Sequence, residues 1–453
     1  MRTEGDHIQV SENVFDNLPA WQQAEWRDVR KAFTTAYSYY VDNLAPVSAP
    51  EKCLAIEPRY REMMYVDGVY CHGALGSGSH RMAPLMRYSG DFGGDYIITR
   101  APFERVFGQY LTRLTEALRR RDHDTAAKYA GIVSHLFCDR HPGDHIDPGM
   151  WIGLLCPPPP EIAPLVTAAY WGVTTQEVDI PRVRYTPRLL GTGHTEAINR
   201  FFHRYLMTMK HAIPFVSLML REAYAGRQVE AQRLLSESRL KGIEIISDFL
   251  YTAFCLAYER CDPAEVKALD NADMTEWFAD ENEMDYLYFY GPYTENVLDL
   301  FPATVEGKTG PHFLPAELLV APPGGGAPVA CPATPCLAVL PDSGCQLSQR
   351  WAKLVYELPE GVYRRFTSLA GPSARLTVNA KNGARSRVKV QVLGDETVLF
   401  ERPLMQGGDP AVDIAVDIAG MKKLTLLVNG LQRNADEFWC GHFIWGRPVL
   451  HKR

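Results

Sequence analysis

This chain of 453 residues lacks the long apolar segments by which a membrane span or a signal peptide is recognised. No apolar run reaches the roughly 18 residues that a membrane-spanning helix needs. The opening stretch, MRTEGDHIQVSENVFDN, has no apolar segment of the kind that a signal peptide carries. We therefore expect either an intracellular protein or an exported one whose leader has been replaced by a starting Met, and the sequence leaves this choice open.

An excess of positive charge is also lacking. The chain has 47 Lys and Arg against 54 Asp and Glu, for a formal net charge of −7. Proteins that bind nucleic acid along their whole surface carry the opposite balance. Nucleic acid is therefore a disfavoured partner, although a local basic groove would still allow it.

The ten cysteines do not form a common zinc-finger pattern. Several follow apolar residues, as in GLLC, TAFC and HLFC, which favours buried thiols in a reducing compartment. Cys331, Cys336 and Cys345 cluster in a proline-rich loop. A disulfide in that loop is expected only if the protein is exported.

What the sequence does contain, up to about residue 300, is helical periodicity. Apolar residues recur at spacings of three and four. The predicted helices span 12–43, 102–121, about 124–141, 195–225 and 228–260. The segment 150–190, with CPPPPEIAP at its centre, is expected to be an insertion. The aromatic tract DYLYFYGPY, residues 285–293, is expected to pack among helices, with a substrate groove as the alternative.

Beyond about residue 300 the periodicity changes. Short alternating runs such as RVKVQVLG and KKLTLLVNG are separated by Gly, Asn and Asp, which is typical of an all-β sandwich. The predicted fold is a mainly α-helical N-terminal domain followed by a C-terminal all-β jelly-roll sandwich. We expect a helical domain over 1–305, a Pro/Gly-rich linker and module edge over 306–345, and the β-sandwich over 346–453.

One segment is crowded with metal-binding side chains. SHLFCDRHPGDHIDPG, residues 134–149, holds three histidines and three aspartates. His135 and Asp139 are four apart on a predicted helix and so share a face. Asp139 has two oxygens with which to bridge metal ions. The helix should break at Pro142-Gly143. His145, beyond the break, would then point to a second metal position next to the first. The alternative is an ordinary surface pair at i,i+4.

The spacing H-x3-D-x5-H resembles the metal core of the zinc-dependent phospholipase C superfamily, which includes the fungal single-strand-specific nucleases. The resemblance implies that His135 and Asp139 bind one zinc pair and that His145 begins a separate zinc site. By the same resemblance, Asp67 is a catalytic base or ligand and His80 is a ligand. His72 competes with His80, while Asp91 and Asp95 compete with Asp67.

In this family a downstream His and acid complete the second zinc site. The resemblance assigns these roles to His194 and Glu196, although the acid is two residues away and the family spacing is four. His203 and His211 are alternatives on the same predicted helix. The family's third site uses a processed N-terminal amine and a nearby His, for which this chain offers only His7.

The chemistry implied by the resemblance is hydrolysis. Two or three Zn2+ ions would lower the pKa of a bound water and neutralise charge on a phosphoryl oxygen. Asp67 and Asp139 are the expected catalytic carboxylates. The implied enzyme is a phosphoric ester hydrolase acting on a phosphoester or glycoconjugate. The alternatives are a metal-dependent hydrolase of another bond in a glycoconjugate, or a carbohydrate-binding protein with a degenerate hydrolase domain.

The C-terminal runs resemble the NPCBM-type, galactose-binding-like module that accompanies glycoside hydrolases. The residues that carry the resemblance are LPEGVYRRFTSLAG, VKVQVLGDETVLFERPLM, AVDIAVDIAGMKKLTLLVN and NADEFWCGHFIWGRPVL. It implies a carbohydrate ligand held at loops by aromatic and amide side chains. Trp439 and Trp445, which alternate along one expected strand, are interpreted as core residues.

Overall fold

The computed structural model divides the chain into two compact units, Met1–Lys267 and Ala268–Arg453. The residues that the structure describes are 4–38, 62–66, 69–70, 100–138, 179–277, 279–283, 291–293, 297–305, 308–339, 341, 351–375, 383, 385–431 and 442–452.

The first unit is helical over most of its described residues. Its helices are α1 Glu4–Asn17, α2 Ala20–Glu25, α3 Arg30–Ala32, α4 Arg100–Arg119, α5 His123–Cys138, α6 His194–Tyr224, α7 Gln228–Tyr258 and α8 Pro263–Ala268. A π-helical turn at Phe33–Tyr37 follows α3, and β1 (Tyr65–Val66) pairs antiparallel with β2 (Val69–Tyr70). None of the helices in the described residues is long and apolar enough to cross a membrane.

Helices α4 to α7 confirm the predicted segments, with α5 described only as far as Cys138. The continuous helix expected over 12–43 is wrong. Pro19 precedes α2 with φ −56° and ψ 150°, an extended backbone that separates α1 from α2. A proline lacks the N–H that would continue the hydrogen-bond ladder. The apolar spacing persisted across this break, which is why periodicity alone merged the helices.

Aromatic side chains connect the long helices of the first unit. Phe137 of α5 lies 4.7 Å, between ring centroids, from both Phe107 of α4 and Phe201 of α6. Phe201 in turn lies 4.7 Å from Phe249 of α7. All four are at most 2% exposed. Such contacts add about 0.5–1.5 kcal/mol each beyond area burial, and here they hold the C-terminal end of α5 in the core.

The second unit is an antiparallel β-sandwich. Its two main sheets are formed by β3 Asn271–Asp273, β4 Glu281–Glu283, β5 Gly291–Tyr293, β10 Cys336–Val339, β11 Trp351–Glu357, β12 Arg365–Pro372, β13 Arg387–Gly394, β14 Thr397–Gln406, β15 Val412–Asp417, β16 Lys423–Gly430 and β17 Phe443–His451. The larger sheet has the strand order β15-β12-β17-β10-β5, with β3 also paired to β17, and the five-stranded sheet has the order β14-β13-β16-β11-β4. Two further hairpins pair β6 Val297–Val305 with β7 Lys308–Pro315 and β8 Glu317–Val320 with β9 Val329–Pro332.

Alternating burial shows which face of each strand is in the core. Along β13 the side chains of Val388, Val390 and Val392 are at most 1% exposed, while the residues between them are partly exposed. Strand β16 repeats the pattern. A period of two, with one face packed and one solvated, is the expected signature of a sandwich strand. The predicted C-terminal β-sandwich is confirmed, and Trp445, at 0% exposed, is a core residue as expected.

The boundary between the units lies earlier than the sequence indicated. It falls between residues 267 and 268, whereas the helical domain was expected to reach 305. Strand β5, at Gly291–Tyr293, belongs to the aromatic tract that was expected to pack among helices, so that interpretation is wrong for these three residues. Strand β10 lies in the stretch expected to be a linker and pairs with both β17 and β5.

Candidate functional site

His135 is buried near the end of α5. Its side chain is 0% exposed, and its Nδ1 lies 2.6 Å from the carbonyl oxygen of Ser38. A carbonyl can only accept, so Nδ1 carries a proton, and in the neutral ring Nε2 is the basic nitrogen. Histidines that bind metals are commonly oriented by such a bond through the other ring nitrogen. The His135 imidazole therefore has the tautomer and orientation of a ligand that binds through Nε2.

A second imidazole lies directly against His135. The rings of His7 and His135 are stacked with centroids 4.1 Å apart and planes 7° from parallel. His7 is 1% exposed. One turn further along α1, the hydroxyl of Ser11 hydrogen-bonds that of Ser134 at 2.9 Å. The start of α1 and the end of α5 thus bring together two buried histidines that are 128 positions apart in the chain.

His194 and Glu196 lie at the start of α6. The Glu196 carboxylate, expected to bind a metal ion, is hydrogen-bonded to Arg200 and Thr192. Its Oε1 accepts from Nε and Nη2 of Arg200, both at 3.3 Å, and its Oε2 accepts from the Thr192 N–H at 3.2 Å. Glu196 and Arg200 are both buried. An acid in the first turn that reaches back to a preceding N–H is a helix-capping arrangement. The E-x3-R spacing was the sequence signal for this ion pair.

The imidazole of His194 has a different environment. Its Nε2 is buried, and no described residue hydrogen-bonds to it. Burial lowers the pKa of His194, and the nearby Arg119 guanidinium lowers it further. A lowered pKa favours the neutral ring, which is the form able to bind a metal. Glu196, which the sequence paired with His194 as a ligand, is bonded to Arg200 instead.

The other expected site residues lie outside the described residues. These are Asp67, His80, Asp139 and His145, together with the alternatives His72, Asp91 and Asp95. His203 is described and is 0% exposed, whereas His211 is described only as part of α6. Within the described part of the chain, no group of three or more His, Cys, Asp or Glu is arranged to hold a metal ion. The zinc site therefore stays a prediction.

In the second unit, polar side chains are connected on the outward face of the five-stranded sheet. Gln391 Nε2 donates to Glu401 Oε2 at 2.8 Å, and Gln391 Oε1 accepts from Asn429 Nδ2 at 3.4 Å. Lys389 Nζ lies 2.9 Å from Glu401 Oε2. Trp351 is directly opposite Asn429 across β11 and β16. We call this surface the polar face, and it comprises Trp351, Arg387, Lys389, Gln391, Glu401 and Asn429. Sequence reasoning missed it because the residues come from four strands.

The second unit is thus an antiparallel β-sandwich module with a polar face on one sheet. Its residues 349–451 match the family model of the NPCBM/NEW2 domain. The NPCBM-type module expected from the sequence is therefore confirmed over these residues. None of the curated proteins matches the chain.

Three solved structures illustrate what the chain is similar to. A CBM51 module from Clostridium perfringens GH95, in complex with methyl-galactose, is 16% identical over 40% of this chain and 99% of that chain, with a TM-score of 0.27. The M60 catalytic domain with two CBM51 domains from Clostridium perfringens ZmpB is 18% identical over 40% of this chain and 15% of that chain, also at 0.27. Clostridium perfringens alpha-toxin is 8% identical over 97% of this chain and 86% of that chain, at 0.30. At these TM-scores the likenesses establish neither a ligand nor an activity for the chain.

Proposed function

We propose that the chain is a carbohydrate-binding protein whose C-terminal unit holds the glycan. The observation that carries this proposal is the match of residues 349–451 to the NPCBM/NEW2 family model, on a unit folded as a β-sandwich. Aromatic and amide side chains, the groups that typically bind sugars, are present together on the polar face. The module would bring whatever activity the first unit has to a glycan-bearing substrate.

Binding of the full chain to an array of immobilised glycans tests this proposal. We expect saturable binding to a subset of glycans, competed by the matching free sugar. A destabilised core variant such as Val390→Asp serves as the negative control, because Val390 is 0% exposed and a buried carboxylate should unfold the sandwich. The proposal fails if the folded full chain binds no glycan at millimolar concentration.

A second function, located in the helical unit, is favoured by the geometry of His135. We propose zinc-dependent hydrolysis of a phosphoester or of another bond in a glycoconjugate. A buried imidazole whose Nδ1 proton is held by the Ser38 carbonyl is arranged for coordination through Nε2. Zinc bound there would activate a water as the nucleophile. Within this proposal Asp139 and His145 keep their predicted roles as ligands, as do His80 and His194, while Asp67 orients the water.

Metal analysis of protein purified without added metal tests this second function. We expect about two or three zinc ions per chain, and His135→Ala should lose zinc together with any phosphodiesterase activity. His123→Ala is the matched control, because His123 begins the same helix and lies 3.6 Å from Glu25 instead. Less than about one zinc per chain would contradict the hydrolase proposal, and retained zinc in His135→Ala would remove that residue from the site.

A further inference from the structure

The polar face is pre-organised by its own hydrogen bonds. The Gln391 side-chain amide bridges Asn429 and Glu401, and Lys389 pairs with the same carboxylate oxygen. Gln391 and Glu401 are therefore each oriented by two neighbours, while Lys389 and Asn429 have one contact each within the network. The network uses only part of their capacity, since an ammonium has three donors and a carboxylate accepts several bonds. Groups already held in place lose little side-chain entropy when a ligand binds.

Trp351 adds an aromatic ring to the same row of the sheet. The register places Trp351 opposite Asn429, and Asn429 opposite Lys389, across three adjacent strands. Alternation along β11 directs Trp351 to the side away from the buried Ala352 and Leu354. An indole beside fixed hydrogen-bonding groups matches a pyranose ring, whose C–H face is apolar and whose edges carry hydroxyls.

Arg387 provides an observation independent of this network. It lies two positions before Lys389 on β13 and shares its outward face. Its Nε is buried, and among the residues that the structure describes it has no hydrogen-bond partner. A buried donor without a partner is destabilising, and more so in a charged group. Among the six residues of the polar face, the Glu401 carboxylate offsets the Lys389 ammonium, so Arg387 gives the set a net charge of about +1.

We infer that the polar face binds a glycan through an acidic sugar, one that carries a ring carboxylate such as a uronic or sialic acid. The carboxylate would accept from Arg387, the hydroxyls would bond Lys389, Gln391 and Asn429, and the apolar ring face would lie on Trp351. A planar guanidinium is the preferred partner of a carboxylate. This inference rests on the proposed carbohydrate-binding function and adds to it the site and the class of sugar.

The test uses the full chain and pairs of glycans that differ only in a terminal acidic sugar, such as sialylated and desialylated lactose. We expect wild type to prefer the acidic member. Arg387→Gln should weaken binding of the acidic member about ten-fold and leave the neutral member unchanged, because one charged hydrogen bond is lost. Arg365→Gln is the matched control, since Arg365 is an exposed arginine on β12 of the other sheet.

Two further variants protect the test against simple misfolding. Trp351→Ala and Gln391→Ala should each reduce binding of both glycans, with Gln391→Ala expected to melt at the wild-type temperature because Gln391 lies on the outward face. If wild type binds no glycan, the proposed function itself fails. If it binds and the polar-face variants bind equally well, the site is wrong and the function stands. Equal binding of neutral and acidic members would overturn the assignment of an acidic sugar.

Discussion

Two cysteines five positions apart in CPATPC have different surroundings. Cys336 begins β10 and is 0% exposed, and burial raises the pKa of its thiol to about 12. Cys331, in β9, is partly exposed. Only the thiolate reacts with alkylating reagents. At pH 8 in the native protein, we expect iodoacetamide to modify Cys331 at least about ten-fold faster than Cys336, as measured by fragment-ion mapping. The two rates should converge in denaturant, and equal native rates would contradict the burial of Cys336.

The histidine immediately before β17, His442, should make stability depend on pH. Burial lowers the pKa of His442 from 6.5 to about 4. Between these values the unfolded chain binds a proton that the folded chain does not, so the free energy of unfolding falls as the pH is lowered from about 6.5 and levels off below about 4. Because the side chain is still partly exposed, we expect a loss of about 1–3 kcal/mol.

Urea denaturation of wild type and His442→Gln at several pH values measures this effect. Other titrating groups are common to both proteins, so the difference between the two curves isolates His442. We expect the variant to lose less stability than wild type across this pH range. Parallel curves for the two proteins would show that His442 does not titrate differently on folding.

Single residues also show the limits of sequence reasoning at the helical site. The sequence predicted a helix over about 124–141 that contains His135, and the structure puts His135 on α5. Its partner, the Ser38 carbonyl, is 97 positions away, and its stacking partner His7 is further still. No local pattern encodes these contacts. Glu196 and Arg200, by contrast, are four residues apart, a spacing from which an ion pair on one helix can be predicted. The resemblance to the zinc enzymes instead assigned Glu196 as a metal ligand.

At the scale of elements, side chains of α1 bind the first half of the segment 179–191, which has no regular secondary structure. The N–H groups of Ile180, Val183 and Tyr185 donate to the side-chain oxygens of Gln9, Asn13 and Asn17, at 2.7, 2.8 and 3.1 Å. The three acceptors are four residues apart and share one helix face. This ladder explains how a segment without regular secondary structure satisfies its backbone. The sequence showed the polar residues on α1 but not what they bind.

Removing the middle acceptor of this ladder should destabilise the helical unit. Asn13 is 1% exposed, and Asn13→Ala would leave the Val183 N–H without its acceptor. We expect a loss of about 1–3 kcal/mol in the free energy of unfolding, measured with urea. Glu12→Ala is the matched control, because its partner Arg182 is largely exposed and such pairs contribute about 0–1 kcal/mol. Equal effects of the two substitutions would show that the ladder adds no stability.

At the scale of the whole molecule, the sequence predicted both units but not where the second one begins. Strands β13 and β16 have eight residues each and alternate cleanly, so their pattern is visible. Strands β3, β4, β5 and β10 have three or four residues each. They lie among Pro, Gly and aromatic residues, a composition that favours loop, and their partners are distant: Leu337 pairs with Trp445. Short strands that depend on remote partners leave no periodic signal.

These early strands should be necessary for the β-sandwich to fold. In the larger sheet, β10 is hydrogen-bonded to β17, with Cys336 opposite Gly446 and Val339 opposite Phe443. A fragment of residues 346–453 would contain the whole family-model match and yet leave one edge of β17 unpaired. It would also remove part of the core around Ile444, namely Ala316, Leu318, Ala333, Cys336 and Ala338. Exposed apolar surface beside an open strand edge favours aggregation.

We therefore expect a fragment of residues 268–453 to be soluble and monomeric and to melt cooperatively, because it keeps every strand of both sheets. The fragment 346–453 should aggregate or melt at a much lower temperature, since a buried strand that loses its neighbour leaves several backbone groups unsatisfied. Size-exclusion chromatography and thermal denaturation followed by circular dichroism distinguish the two cases. If 346–453 melts cooperatively at the temperature of 268–453, the strands before residue 346 are dispensable and the second unit is smaller than its sheets indicate.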